Sequence, residues 1–226
     1  MGGFKMRKVA IALILFLTIL TGCKKERIEK AKEMMKQEAL EEVRTCVLFD
    51  NSLSYKPYIS DTLVQVRDIF RYLAEKYPDS NTALIMIDKE AKIIWSGASK
   101  DLQRPYDELK ETLRRETSRF TNLIDAVDKA LYFLNKEKAR RKILLIFSDM
   151  KHSMPNYYPN DQKVVPPPEN FPWERLKDIE IYVFYVPYEE WQEWQKVIAN
   201  KEVKIKGFLP EELKTLKAFQ VVFGEE

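Results

Sequence analysis

The sequence predicts an α/β domain with a mostly parallel central sheet, helices on both faces and one antiparallel hairpin strand at an edge. Three observations carry that prediction. Short apolar runs alternate along the chain with longer stretches whose apolar residues recur every three or four positions, the pattern of strands separated by helices. Ile143 to Phe147 (ILLIF) is apolar at every position, as in a strand covered on both sides. Thr82 to Ile87 is followed by Asp88-Lys89 and then by Ile93 to Trp95, the spacing of a hairpin.

Taken in order, the domain opens with a strand at Cys46 to Phe49. Leu63, Val66, Ile69, Phe70 and Leu73 then mark one face of a helix from Asp61 to Tyr77, with Asp61 as its N-cap and Pro78 as its stop. After the hairpin, Pro105 opens a helix carrying Tyr106, Leu109 and Leu113 on one side. Thr121 stands just ahead of another, lined by Leu123, Val127, Ala130, Leu131 and Leu134. The strand 143–147 leads to Asp149. Residues 150–172 hold six of the eleven prolines and exclude regular structure. Beyond them the pattern gives a strand at Ile179 to Val186, a helix at Glu189 to Ala199, a short strand at Val203 to Ile205, and a last helix opened by Pro210 with Leu213 and Leu216.

At 226 residues and 45% apolar content, the chain suits one such domain with an N-terminal appendage. Charged residues make up 32% but leave a net charge of only +3, without a long run of one sign, which gives no case for nucleic acid. Lys5, Arg7 and Lys8 precede an apolar run from Val9 to Leu20, the layout of a secretory signal peptide and too short for a comfortable membrane span. Leu20-Thr21-Gly22-Cys23 resembles the lipobox of bacterial lipoproteins, which implies cleavage and a lipid on Cys23. Residues 1–23 are thus expected to be the signal peptide, 24–43 a charged helical tether, and 44–226 the folded domain. The expected location is the cell envelope, on the outer membrane or the periplasmic face of the inner one. With Cys23 lipidated, Cys46 is the one remaining thiol, a packed core residue with no disulfide partner in the chain.

The chemistry concentrates at Cys46 to Ser54 (CVLFDNSLS), where a buried strand runs into Asp50, Ser52 and Ser54. Hydroxyls and carboxylates are hard oxygen ligands, suited to Mg²⁺, which takes six oxygens at about 2.1 Å and releases water reluctantly. Asp149 also follows a strand and Thr121 precedes a helix, so three loops can meet beyond the carboxyl ends of the strands, where open α/β sheets bind ligands. The same residue types are also favoured helix caps, which leaves a metal-free reading open.

This arrangement resembles the von Willebrand factor A (VWA) domain and its metal-ion-dependent adhesion site (MIDAS), which carries Asp-x-Ser-x-Ser after the first strand, a Thr in a later loop and an Asp after the central strand. The matches are Asp50-Asn51-Ser52-Leu53-Ser54, Thr121 and Asp149, within roughly Thr45 to Phe208. The resemblance implies that Ser52 and Ser54 ligate Mg²⁺ (or Mn²⁺ or Ca²⁺) directly and that Thr121 does so in at least one state. It implies that Asp50 and Asp149 act mainly through waters and hydrogen bonds, and that a protein partner supplies an acidic group to the ion. Two departures stand out. Ser148-Asp149-Met150 replaces the Thr-Asp-Gly of many members, a bulkier turn, and Arg119-Phe120 stand where a Gly often precedes the Thr.

Other residues read as structural. His152, the single histidine, excludes His-rich zinc sites and is expected on a loop surface. Trp191 and Trp194 are expected in the core, and Tyr157 and Tyr158 as packing residues of the Pro-rich loop. The leading function is a lipid-anchored, metal-dependent protein-binding module; the alternative is a metal-free scaffold of the same fold in an envelope assembly. An enzyme is not expected. A phosphohydrolase using Asp50 as nucleophile would want a second carboxylate two residues on, where Ser52 stands.

Overall fold

The computed structural model describes residues 41–115, 118–153 and 171–224. The chain divides at Glu41/Glu42 into two units, and all the described residues but Glu41 belong to the second. The signal peptide with Cys23, the tether up to residue 40, and Tyr157 and Tyr158 lie outside them. Among the described residues no helix is long and apolar enough to cross a membrane.

Six strands form one sheet: β1 (Glu41–Asp50), β2 (Asn81–Ile87), β3 (Lys92–Ala98), β4 (Ala139–Phe147), β5 (Glu180–Phe184) and β6 (Lys204–Phe208), in the spatial order β3-β2-β1-β4-β5-β6. The pairs β1–β2, β4–β5 and β5–β6 are parallel, and the edge strand β3 is antiparallel to β2. Among the described residues five α-helices pack around the sheet: α1 (Ile59–Lys76), α2 (Gln103–Arg115), α3 (Leu123–Asn135), α4 (Tyr188–Ile198) and α5 (Ala218–Phe223). The expected fold class is the observed one.

Strand alternation sorts the core into two halves, because successive side chains point to opposite faces. Cys46, Leu48, Ile85, Leu144, Ile146 and Val183 meet Val127, Leu131 and Trp194 of α3 and α4 on one side. Val47, Phe49, Leu84, Leu145, Phe147 and Phe184 meet Ile69, Leu73, Leu109 and Val222 of α1, α2 and α5 on the other. Cys46 is buried as expected, and so is Trp194, while Trp191 packs half-buried at the margin.

The boundaries differ where local signals mislead. β1 begins at Glu41, so the strand takes in residues 41–43 that were read as tether. Asp61 is not the N-cap of α1; a 3-10 turn at Lys56–Tyr58 runs directly into the helix, and Asp61 lies in its first turn. Asn122, not Thr121, caps α3, accepting from Asp125 N at 3.1 Å. After Pro210 comes only a 3-10 turn, Glu212–Lys214, and the final helix is α5. That short helix is held by tertiary bonds. Ala218 N donates to Gln65 Oε1 at 2.9 Å, and Arg141, doubly bonded to Glu180, also donates to Val222 O at 3.1 Å.

Gly207 on β6 is a position of close approach: a Cβ there would stand 2.4 Å from Trp191 Cε2. Gly207→Ala is therefore expected to push the indole off the sheet and lower stability by about 1–3 kcal/mol. A reduced urea midpoint would register it; an unchanged midpoint would mean the indole repacks freely.

Candidate metal centre

Three loops meet where β1 and β4 lie side by side and the chain leaves the sheet in opposite directions, β1 flanked by β2 and β4 by β5. The first loop is 50–54, the second 118–122 and the third 148–153. The second is stitched to both others by strand-like bridges, Ser52 to Ser118 and Thr121 to Ser153. Ser118 N donates to Asn51 O at 2.8 Å and Leu53 N to Ser118 O at 3.0 Å. Thr121 N donates to Ser153 O at 3.1 Å and Ser153 N to Thr121 O at 2.9 Å. Four of the five expected ligand residues, Asp50, Ser52, Thr121 and Asp149, are at most 1% exposed, with Ser54 half-buried beside them.

Their side chains divide into satisfied and unsatisfied groups. Asp50 accepts from Ser52 N at 2.8 Å and from Ser148 Oγ at 2.6 Å, and the Ser52 and Ser54 hydroxyls lie 3.1 Å apart. Asp149 accepts from Lys151 N through Oδ1 alone. Thr121 Oγ1 and Asp149 Oδ2 are buried with no hydrogen-bond partner among the described residues, as are both polar atoms of the Asn51 side chain. A buried unsatisfied polar atom costs about 1–3 kcal/mol. A further such atom, Thr45 Oγ1, lies within β1, five residues before Asp50.

Burial, and then the nearby charge of Asp149, push the Asp50 carboxyl up to about 7, against the opposing hydrogen bonds from Ser148 and Ser52. Two carboxylates so placed resist sharing a dry site unless a proton or a cation lies with them. Among the described residues no three His, Cys, Asp or Glu side chains converge as a metal cage. The donor set is instead three hydroxyls backed by two carboxylates, which fits a hard divalent ion retaining part of its water. Ser52, Ser54 and Thr121 would hold it, with Asp50 and Asp149 orienting hydroxyls and waters.

The bulkier turn at Met150 keeps the backbone shape that a glycine would take: its φ is +59°, in the left-handed region. Met150 N donates to Ser148 Oγ at 3.0 Å, and Trp194 Nε1 donates to Met150 O at 3.1 Å, which hold the turn from both ends. Ser148 thus serves the site twice, through Asp50 and through Met150.

His152 is a correction: it is 3% exposed, not a surface residue. Its Nδ1 accepts from Leu123 N at 3.2 Å, the entrance of α3, and burial lowers its pKa. The contact ties the third loop to the helix that Thr121 precedes. Ser118, Ser148, His152 and Ser153 were not singled out as site residues from the sequence; only the spacing Ser118-x-x-Thr121 and the adjacency of Ser148 to Asp149 hinted at them.

No family model matches the sequence, and no curated protein matches it. Solved structures do share the fold. The VWA domain of SpRpn10 superposes with a TM-score of 0.51 at 14% identity over 82% of this chain and 96% of that one. Proximal thread matrix protein 1 of the mussel byssus, with a zinc-occupied MIDAS motif, gives 0.51 at 13% identity over 81% and 47%. The pilus adhesin SpaC of Lactobacillus rhamnosus GG gives 0.54 at 10% identity over 77% of this chain and 29% of its own, so this chain spans under a third of that protein. The fold is VWA-like.

Proposed function

We propose that the protein is a lipid-anchored component of a bacterial cell envelope whose VWA-like domain binds a protein partner through a divalent cation. The observation that carries this reading is the pair of buried, unpartnered oxygens, Thr121 Oγ1 and Asp149 Oδ2, in loops that also bring Ser52 and Ser54 together. An ion with its waters would satisfy atoms that the folded chain leaves costly. Because the direct ligands are neutral hydroxyls, the ion would stay electrophilic and accept a carboxylate from the partner. The zinc-occupied motif of the mussel protein supports cation binding on this fold. Anchoring and envelope location rest on the signal-like segment and Cys23. The site is one of binding and not of turnover, since Ser52 stands where a phosphohydrolase would place its acid.

One observation favours the alternative of a metal-free scaffold: Ser52 and Ser54 already bond each other, and both Asp50 oxygens have donors. Thermal melting separates the two. Millimolar Mg²⁺ or Mn²⁺ is expected to stabilise the protein saturably, by about 2.7 kcal/mol at 100 times Kd, with the effect reversed by EDTA and absent in Asp149→Ala. A melting temperature indifferent to both ions would leave the scaffold.

A further inference from the structure

Beside the candidate centre, the 3-10 turn Lys56–Tyr58, the start of α1 and the segment following β6 line a groove of about 550 Å³, within the range of ligand-binding clefts. Pro57, Tyr58 and Pro210 supply flat apolar surface with the buried Tyr185 behind them, and the carboxylates of Asp61 and Glu211 stand among them, against one cation, Lys214. Val64, 47% exposed, adds an aliphatic contact that nothing in the described fold covers. Pro57, Asp61, Val64 and Glu211 are all exposed, so the groove is open along its length and suits an extended chain better than a small enclosed ligand.

Its aromatic wall is continuous with the candidate centre. The Tyr58 and Tyr185 rings lie 5.8 Å apart and both contact Tyr55, at 5.6 and 6.5 Å. Tyr55 is fully buried, bonded to Thr62 at 2.7 Å, and follows Ser54 directly. Tyr185 has a backbone φ of +64°, a conformation that costs a non-glycine residue about 1–3 kcal/mol. Its N–H bonds Phe208 O at 3.0 Å, and the ring is held by Tyr55 and Tyr58. Strain of this kind persists where surrounding contacts over-determine it, often at ligand clamps.

We propose that this groove binds a proline-containing, extended peptide segment carrying a basic residue, as a second contact for the protein partner. The prolines would lie on Tyr58, Pro57 and Pro210, with Tyr185 holding the Tyr58 ring from behind, and the basic residue would pair with Asp61 and Glu211. A polyproline II segment has no internal hydrogen bonds to lose, is already extended, and docks on aromatic-lined grooves at low entropic cost. The net negative rim selects a basic over an acidic segment. The inference rests on the proposed function only in taking the partner to be a protein; the groove needs no cation.

The test is fluorescence anisotropy of the full protein with a labelled oligoproline peptide containing arginine. Controls replace the arginine by glutamate, or the prolines by serine and glycine at constant charge. Saturable binding of the proline–arginine peptide is expected, weakened about tenfold or more, or ~1.4 kcal/mol, by either control. Asp61→Lys and Val64→Lys, both at exposed positions, are expected to weaken it similarly while leaving the far-ultraviolet spectrum unchanged. EDTA and Asp149→Ala are expected to leave it intact, so failure of the cation reading would not touch this one. Absence of saturable binding, equal binding of the glutamate peptide, insensitivity to both groove variants, or loss in EDTA would each overturn the proposal.

Discussion

Asp50→Asn is expected to raise the melting temperature of the metal-free protein at pH 8 and, in the same molecule, to abolish its response to Mg²⁺. The first effect follows from burial. Asp50 is wholly buried, and its carboxyl is displaced from an ordinary value of 3.8 to about 7. The folded state therefore binds this proton more tightly than the unfolded state does. Stability from this group is fullest below pH 3.8 and is lost as pH rises through the window from 3.8 to about 7. At pH 8 the parent carries the whole penalty, on the order of a few kcal/mol at about 1.4 kcal/mol per pK unit. That corresponds to on the order of 10 °C in a domain of this size. The amide keeps an oxygen for Ser52 N, and its NH₂ can donate to Ser148 Oγ. His152 titrates with the opposite sign: its pKa is lowered, so its contribution is present above 6.5 and lost as pH falls. Subtracting the Asn variant from the parent at each pH isolates Asp50. A variant no more stable than the parent at pH 8 would refute the buried-charge penalty. A retained Mg²⁺ response would remove Asp50 from the candidate centre.

Trp194→Ala is expected to be the most damaging single change in the core, at about 3–5 kcal/mol. Trp194 is fully buried, packs edge-on against Phe171 and Trp173, and donates its indole N–H to Met150 O. Truncation leaves a cavity and a buried carbonyl without its donor. Trp194→Phe keeps most of the ring volume and loses the donor with a smaller part of the packing, for an expected cost of about 1–3 kcal/mol. The consequence reaches the site, because Met150 holds a left-handed conformation next to Asp149. Both variants are therefore expected to weaken the Mg²⁺-induced rise in melting temperature. Urea denaturation measures the first effect and melting with and without the ion the second. A Phe variant as stable as the parent would show that the indole hydrogen bond and the ring volume lost with it contribute nothing net.

Strands, helices and their buried faces were legible because burial periodicity is a local property. Leu123, Val127, Ala130, Leu131 and Leu134 are all buried, as their spacing predicts, and Thr82 to Ile87 pairs with an antiparallel β3 as its turn residues predict. The misreadings cluster where local preference competes with distant contacts. Asp61 suits an N-cap, yet a 3-10 turn anchored by Tyr55 and Tyr58 leads α1 in instead. Pro210 suits a helix start, yet the last helix waits for the bond between Gln65 and Ala218, 153 residues apart. His152 suits a loop surface, yet it is buried against the entrance of α3.

The sequence by itself determined the α/β class, the two-sided core and the placement of Asp50 and Asp149 at the carboxyl ends of strands. Each of these depends on apolar period and composition within one element. Tertiary structure decided that loops 50–54, 118–122 and 148–153 are joined, through Ser52–Ser118, Thr121–Ser153 and the bond from Ser148 to Asp50 across 98 residues. It also decided that Met150 takes a glycine's conformation under Trp194, and that Tyr58 and Tyr185 share a groove. These pairings exist only once the sheet brings β1 beside β4, since hydrogen bonds and ring contacts depend on distances that no spacing along the chain encodes.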